Sequence, residues 1–168
     1  MSLNTLEEIA KYIVSDGKGI LAADESNPTC GKRFDSIGVE STEINRRDYR
    51  EMLFRASGMQ DNIGGVILFD ETIRQSAEDG TPLVELIKSQ GALPGIKVDK
   101  GLAPLESSPE ETVTQGLDGL DERCKEYVLL GAKFTKWRAV IKISESLPTD
   151  ECIEANMQSL DKYAKIVQ

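Results

Sequence analysis

Four apolar segments, each followed by a helix-like segment, constrain the fold of this chain more than any other feature. The predicted strands are Gly19–Ala23, Ile63–Phe69, Leu93–Val98 and Lys133–Ile141. A helix precedes the first strand, with Asn4 as its candidate cap and its end near Asp16-Gly17. Its residues at helical spacing are Leu6, Ile9, Ala10 and Ile13. Strands that alternate with helices predict an α/β protein with a parallel sheet and right-handed crossovers.

The connecting segments carry helix and loop signals of their own. The sequence predicts a loop over Asp24–Gly31, a short helix near Lys32–Ile37, helices opening at Thr42, Pro82 and Pro148, a helix from Leu120 to Gly131 and a loop over Lys100–Pro109. Apolar spacing assigns core faces to two of these helices. They are Tyr49, Met52, Leu53 and Ala56 in one, and Ile153, Met157, Leu160, Ala164 and Val167 in the other.

Two architectures share this order of elements, an open doubly wound sheet and a (β/α) barrel. A nucleotide-binding, flavodoxin-like domain is one version of the open sheet. However, no GxGxxG motif follows the first strand. The Gly64-Gly65 pair stands at the start of the second strand, on the wrong side for a phosphate-binding turn. From the residues alone, both architectures stay open.

Charged residues lie within or directly after the apolar strands. With a period of two, Lys136 and Arg138 share one face of the fourth strand, which its apolar flanks predict to be buried. Lys97 occupies a similar position in the third strand, and Asp24 follows the first. Buried cations are costly unless an anion meets them, so this arrangement predicts a site for an anionic substrate.

Composition excludes several classes of protein. Acidic residues outnumber basic ones by 29 to 20, for a net charge of −9, which argues against bulk nucleic-acid binding. No apolar run approaches the roughly 20 residues of a membrane span. The chain has no histidine and three widely spaced cysteines, so neither a metal site nor a cofactor is expected. Free thiols predict a reducing, cytoplasmic location.

Five motifs together resemble class I fructose-bisphosphate aldolase. They are Leu21–Ser26, Gly64–Phe69, Gly95–Gly101, Thr114–Leu120 and Lys136–Arg138, and they occur in family order across essentially the whole chain. The resemblance implies a (β/α)8 TIM barrel. It also implies metal-independent cleavage of fructose 1,6-bisphosphate, through a lysine Schiff base, to dihydroxyacetone phosphate and glyceraldehyde 3-phosphate.

The resemblance also implies roles for single residues. Asp24 would move protons at the substrate's C–C bond, and Lys136 would hold substrate and assist acid–base steps. Lys97 would contact substrate oxygens. Five further residues would help position the phosphorylated substrate: Ser26, Thr29, Arg33, Arg46 and Arg138. Thr29 stands where many relatives have serine, and Asn27-Pro28 and Cys30 also depart from the commonest loop.

Length sets this chain apart from the family. A (β/α)8 barrel typically needs about 250 residues, and the family's Schiff-base lysine lies on a later strand without a counterpart here. We therefore expect a single domain over residues 1–168, the first four β/α units of the barrel with a leading helix. The expected partners are a phosphorylated sugar and either further copies in a homo-oligomer or the missing C-terminal half, with no nucleic acid and no membrane. The alternative is a truncated, non-catalytic fragment.

Overall fold

The computed structural model describes residue 3 and residues 5–168. The helices are α1 Leu6–Ile13, α2 Asn27–Asp35, α3 Glu43–Phe54, α4 Met59–Asn62, α5 Asp70–Ile73, α6 Leu83–Ser89, α7 Leu120–Leu129 and α8 Asp150–Val167. The strands are β1 Gly19–Ala23, β2 Ile63–Leu68, β3 Leu93–Lys97, β4 Leu102–Pro104, β5 Thr112–Thr114 and β6 Phe134–Lys136. Thr5 caps α1 in a reciprocal capping box with Glu8, while the predicted cap, Asn4, lies outside the described residues.

One sheet holds four of the strands, in the order β1-β2-β3-β6. β1 pairs with β2 and β2 with β3, both in parallel. Where β6 meets β3, the Lys133 amide donates to the Pro94 carbonyl at 2.8 Å. The register aligns Ala23 with Leu68 and Leu68 with Ile96, so the carboxyl ends of the first three strands lie level. The predicted parallel sheet and α/β class are confirmed.

The two faces of this sheet differ in burial. Three aligned residues on one face are completely buried, namely Ala23, Leu68 and Ile96. On the opposite face, Ile20 is 42% exposed, and the Phe134 ring lies against Gly95. A Cβ at Gly95 would come within 2.4 Å of that ring, so only glycine allows the contact. The sheet thus has one fully covered face and one partly open face.

The described residues form two compact units. One comprises the residues up to Lys97 together with Tyr127–Thr135, and the other comprises Val98–Glu126 and Lys136–Gln168. The first contains β1, β2 and β3 with α1 to α6, and the second contains β4, β5 and α8. The assignment of residues 1–168 to a single domain stays a prediction.

A short hairpin in the second unit replaces part of the predicted Lys100–Pro109 loop. β4 and β5 pair antiparallel, with Ala103 opposite Val113. The loop prediction is wrong over Leu102–Pro104, because a proline at the end of a short edge strand removes no needed ladder bond. The buried Glu111 carboxylate joins this hairpin to the start of α8. It accepts hydrogen bonds from the amide of Thr149 at 2.9 Å and from its hydroxyl at 2.6 Å.

The segment after β1 is helical earlier than predicted. α2 begins at Asn27, with Pro28 in its first turn, inside the region predicted to be a loop. Proline suits this place because the first-turn amides have no intrahelical acceptor and its fixed φ is already helical. The Asn27-Pro28 pair therefore marks a helix start, and the loop prediction is wrong from Asn27 onward.

Two helices bury a different face from the one that their apolar spacing predicts. In α3 the buried residues are Arg50 and Phe54, while Met52 is 61% exposed. In α8 the buried residues are Cys152, Asn156 and Ser159. Three residues of its predicted apolar stripe are exposed, namely Ile153 at 48%, Met157 at 56% and Leu160 at 42%, while Ala164 and Val167 are half-buried. Polar side chains thus take core positions in both helices, and Arg50 and Asn156 donate hydrogen bonds to carbonyl groups there.

The fourth predicted strand is shorter and less buried than expected. β6 covers Phe134–Lys136, none of whose residues is buried, and Arg138 beyond it is exposed. β6 ends the strand order, so one of its edges has no neighbouring strand within the described ranges. The prediction of a long buried strand carrying two cations is wrong for this reason.

Among the helices of the described residues, none is long and apolar enough to cross a membrane.

Candidate active site

Asp24 and Lys97 lie at the same level of the sheet. Asp24 directly follows β1, and Lys97 is the last residue of β3. Because the preceding residues align across β2, the two backbones are two strand spacings apart, about 10 Å. Because successive side chains of a strand point to opposite faces, Asp24 and Lys97 both lie on the partly open face of the sheet. Both residues are half-buried. The structure therefore brings these two predicted site residues to one edge of the sheet.

Glu25, next to Asp24, is held by three side chains. Arg50 Nη2 lies 3.0 Å from its Oε2, the Tyr49 hydroxyl lies 3.3 Å from Oε1, and Arg33 pairs with the same Oε1. The attraction of Glu25 is the largest cause that raises the pKa of Arg33 above its ordinary value. Arg33, a predicted phosphate ligand, is thus oriented by the acid beside Asp24, while its side chain stays 55% exposed.

Arg46, the second predicted arginine of this unit, is bound by a different carboxylate. Its Nε and Nη2 lie 2.7 and 2.6 Å from the two oxygens of Glu71. Its Nη1 donates to the Ser41 carbonyl at 2.6 Å. The hydrogen bond from Arg46 is the largest cause that lowers the pKa of Glu71, and the same bond raises the pKa of Arg46. Every nitrogen of this guanidinium therefore has a partner within the chain.

Ser26 and Thr29 place two hydroxyl groups at the start of α2. Ser26 is the N-cap residue but makes no side-chain capping bond, and its Oγ lies 3.1 Å from Thr29 Oγ1. Thr29 is exposed, and Arg33 follows it by one helical turn. Two hydroxyls and a guanidinium on one side of a helix start form a suitable donor set for a phosphate.

Lys136 and Arg138 belong to the second unit, and its hydrogen bonds fix their backbone. The Lys136 carbonyl accepts from the Val98 amide at 3.1 Å. The Arg138 carbonyl accepts from the Thr114 hydroxyl at 2.6 Å. Between them, Trp137 stacks on Tyr163 of α8, with 5.1 Å between ring centroids. The Arg138 side chain is exposed and that of Lys136 half-buried.

The cysteines are free thiols. Cys30 and Cys152 are buried, and Cys124 is half-buried. The Cys30 sulfur accepts a hydrogen bond from Arg50 Nη1 at 2.8 Å. Burial is the largest cause that raises the pKa of Cys152 and that of Cys124. In the part of the chain that the structure describes, no group of three or more histidine, cysteine, aspartate or glutamate residues is placed to hold a metal ion.

Comparison with known proteins identifies the family. A family model described as fructose-bisphosphate aldolase class-I, of the glycolytic type, matches residues 5–168. The chain belongs to the class I fructose-bisphosphate aldolase family. A probable fructose-bisphosphate aldolase class 1 of Xanthomonas axonopodis pv. citri is 54% identical over 168 residues, which is all of this chain and 50% of that protein. Fructose-bisphosphate aldolase C-A of Danio rerio is 56% identical over 164 residues, which is 97% of this chain and 45% of that protein.

A solved aldolase structure supports the same family. The aldolase of Plasmodium falciparum, crystallised with TRAP and a small-molecule inhibitor, matches with a TM-score of 0.92 and 50% identity. The match covers 95% of this chain and 46% of that chain. The chain thus spans about half the length of the aldolases it matches. The family predicted from the five motifs is confirmed.

Sequence reasoning missed the two acids that bind the arginines and one of the arginines themselves. Glu25 and Glu71 follow β1 and β2, and Arg46 and Arg50 lie four residues apart on α3. That spacing places both guanidinium groups on one helix face. Two acids after neighbouring strands and two arginines at helical spacing were the available signal. Apolar spacing alone could not reveal it, because the buried face of α3 carries a charge.

Proposed function

We propose that this chain forms part of a class I fructose-bisphosphate aldolase, which reversibly cleaves fructose 1,6-bisphosphate into dihydroxyacetone phosphate and glyceraldehyde 3-phosphate. The observation that carries the proposal is that Asp24 and Lys97 lie at the same height at the carboxyl ends of β1 and β3, on the partly open face of the sheet. Enzymes with (β/α)8 barrels use this end of the strands for catalysis. Family membership supports the choice of reaction.

In this proposal, each strand end supplies one chemical role. The Asp24 carboxylate accepts and returns a proton of the substrate next to the C–C bond that breaks. Lys97 donates to substrate oxygens, and Lys136, at the end of β6, is a fixed cation that holds substrate and assists proton transfer. A lysine from outside these 168 residues forms the Schiff base. A neighbouring cation lowers the pKa of such a nucleophile and so favours its neutral, reactive form.

The remaining predicted site residues would bind or position the phosphate groups of the substrate. Ser26, Thr29 and Arg33 form one donor set at the start of α2, supported by the 3.1 Å spacing of the two hydroxyl oxygens. Arg33 can turn toward a phosphate because its side chain is largely exposed. Arg46 would have to exchange Glu71 for the phosphate. Its contribution is instead to place the start of α2 through that pair, because Asn27 donates to the same Glu71 carboxylate at 3.3 Å. Arg138 supplies a further exposed cation.

The proposed scaffold is a (β/α)8 barrel, of which this chain supplies the first four β/α units. The remaining strands come from outside these residues. The open face of the sheet supports this, because Ile20 and Ala22 on β1 are exposed although their type favours burial. The proposed partners are a phosphorylated sugar and either the complementary half of the barrel or further copies of the chain.

A second candidate function is a non-catalytic aldolase fragment that acts only in assembly. The exposed apolar stripe of α8 favours it, since Ile153, Met157 and Leu160 are 48, 56 and 42% exposed. Contiguous apolar patches usually mark an interaction surface. This candidate shares the fold with the first one and differs in having no role for Asp24 or Lys136.

A complementation assay tests the proposal. The purified chain is mixed with the separately produced C-terminal half of the Xanthomonas relative, and cleavage of fructose 1,6-bisphosphate is followed by a coupled assay. We expect no turnover from either half alone and measurable turnover from the mixture. Asp24→Asn and Lys136→Ala should each lower that turnover by about 100-fold or more, as expected for loss of a proton-transfer group or a fixed cation. Full turnover with both variants would support the non-catalytic fragment.

A further inference from the structure

Arg50 is a buried cation in α3 that the proposed reaction does not use. The residue is 1% exposed. Its guanidinium makes four hydrogen bonds. Nε donates to the Ala23 carbonyl at 3.2 Å, Nη2 donates to the carbonyl and the carboxylate of Glu25 at 2.8 and 3.0 Å, and Nη1 donates to Cys30 Sγ at 2.8 Å. A charge buried this deeply is costly unless its partners are fixed in return.

The two carbonyl groups that Arg50 binds belong to the residues on either side of Asp24. Ala23 precedes Asp24 and ends β1, and Glu25 follows it. One rigid, planar guanidinium therefore spans the peptide units that set the direction of the Asp24 side chain. A lysine ammonium is a point donor on a flexible stem and cannot bridge both carbonyls with the same geometry.

The Cys30 contact extends this support to α2. The thiol is completely buried, and the helix that carries it begins three residues earlier. Arg50 thus contacts the end of β1, the following turn and the first turns of α2 from a single point. Neighbouring Arg47, on the same helix, donates from Nε to Asp48 Oδ1 at 2.8 Å, a carboxylate one residue away in sequence, and provides a matched comparison.

We propose that Arg50 is a positioning residue for Asp24, holding the backbone on both sides of it so that its carboxylate faces the reacting bond. This inference rests on the proposed function for the role of Asp24. The placement itself is a property of the chain and can be measured without any turnover.

The first experiment uses hydrogen exchange in the 168-residue chain. Arg50→Lys keeps the charge but removes the bridge, and Arg47→Lys is the control. We expect amide hydrogen exchange in the segment Leu21–Ser26 to become about tenfold faster in Arg50→Lys, because the free energy of local opening falls. Alkylation of the Cys30 thiol should accelerate by a similar factor for the same reason. Exchange in β2 and β3 should stay unchanged in both variants. Unchanged exchange at Leu21–Ser26 in a folded Arg50→Lys chain would overturn the proposal.

A measurement on the unmodified chain keeps the proposal testable if Arg50→Lys does not fold. In NMR spectra of the wild-type chain, the Arg50 Nε–H and Nη–H signals should exchange slowly with water, and rotation about the Cζ–Nη bonds should be restricted. Arg47 supplies the comparison within the same spectrum. A freely rotating, rapidly exchanging Arg50 guanidinium would contradict the proposal.

The closing experiment measures turnover in the mixture with the complementary half. We expect Arg50→Lys to lower kcat by about tenfold with KM changed less than about twofold, as for a group that acts only in the transition state. In an Asp24→Asn background, Arg50→Lys should lower kcat no further, since the residue through which it acts is gone. An equal loss in both backgrounds, or a loss confined to KM, would overturn the positioning role. If the wild-type mixture shows no turnover, the proposed function fails, and the exchange and NMR results alone decide whether Arg50 fixes the backbone around residue 24.

Discussion

Arg46 and Glu71 form a two-point ion pair, with Nε 2.7 Å from Oε1 and Nη2 2.6 Å from Oε2. The pair joins α3 to the first turn of α5, directly after β2. Asn27 donates to the same carboxylate at 3.3 Å and so connects the start of α2. The side chains are only 11% and 21% exposed, so solvent screens the pair weakly. This carboxylate therefore holds three helices at the carboxyl end of the sheet.

Replacing Glu71 tests how much the pair stabilises the fold. Glu71→Gln leaves the largely buried Arg46 guanidinium without its anion, which should lower the free energy of unfolding by about 2 kcal/mol. Glu85→Gln is the control, because Glu85 pairs with Lys88 on an exposed helix surface, where such pairs contribute about 0.5 kcal/mol or less. Urea unfolding of both variants at neutral pH gives the comparison. Equal losses in the two variants would contradict the structural role.

The same pair predicts a loss of stability in acid. The hydrogen bond from Arg46 holds the pKa of Glu71 below its ordinary value of 4.5. The ionised carboxylate is therefore favoured by folding. Its contribution is complete above the unfolded-state pKa and is lost as the pH falls through the lower folded-state pKa. Urea unfolding over a descending pH series should show less acid loss in Glu71→Gln than in the wild type. Parallel pH curves would show that Glu71 does not contribute.

The positions of the first three strands of the main sheet could be predicted from the sequence because they depend on local apolar runs. Asp24 and Lys97 were expected at the carboxyl ends of separate strands, and parallel pairing then places them level. The start of α2 was missed because Asn27-Pro28 is compatible with both a turn and a first helical turn. Only the surrounding contacts decide between them.

The buried faces of α3 and α8 could not be predicted from the apolar pattern. Arg50 is buried because two carbonyls and a carboxylate distant in sequence accept its hydrogen bonds. Asn156 is buried for a similar reason, since its amide donates to the Thr112 carbonyl at 2.9 Å. Such long-range partners offset the cost of burying polar groups. No periodicity within one helix reports them.

Gly95 provides a second test of the fold. Gly95→Ala would place a Cβ within 2.6 Å of several Phe134 ring atoms. The ring must then shift away from β3, which should cost about 1–3 kcal/mol of stability. Gly19→Ala is the matched control, since a Cβ there meets no atom within 4 Å. Thermal unfolding should show a lower midpoint for Gly95→Ala only. An unchanged midpoint would mean that Phe134 does not pack on this glycine in solution.

The uncovered stripe of α8 predicts the behaviour of the isolated chain. Ile153, Met157 and Leu160 expose apolar surface, and the sheet order ends in the edge strands β1 and β6. Both features favour association with another surface. We expect the chain to self-associate in sedimentation experiments and to bind a hydrophobic dye. Met157→Glu should weaken both effects, while Gln60→Glu, which adds the same charge elsewhere, should not. A compact, cooperatively unfolding monomer that binds no dye would contradict this expectation.

The central claim is that this chain supplies site residues of a Schiff-base aldolase and that its own lysines do not form the Schiff base. Borohydride reduction in the presence of dihydroxyacetone phosphate tests it most directly, because reduction makes the imine permanent and mass spectrometry then locates it. We expect no specific adduct on the isolated chain. In the mixture with the complementary half, we expect a stoichiometric adduct on the added half, formed more slowly when Lys136 is replaced by alanine. A stoichiometric adduct on Lys136 of the isolated chain would contradict the claim and make that lysine the nucleophile.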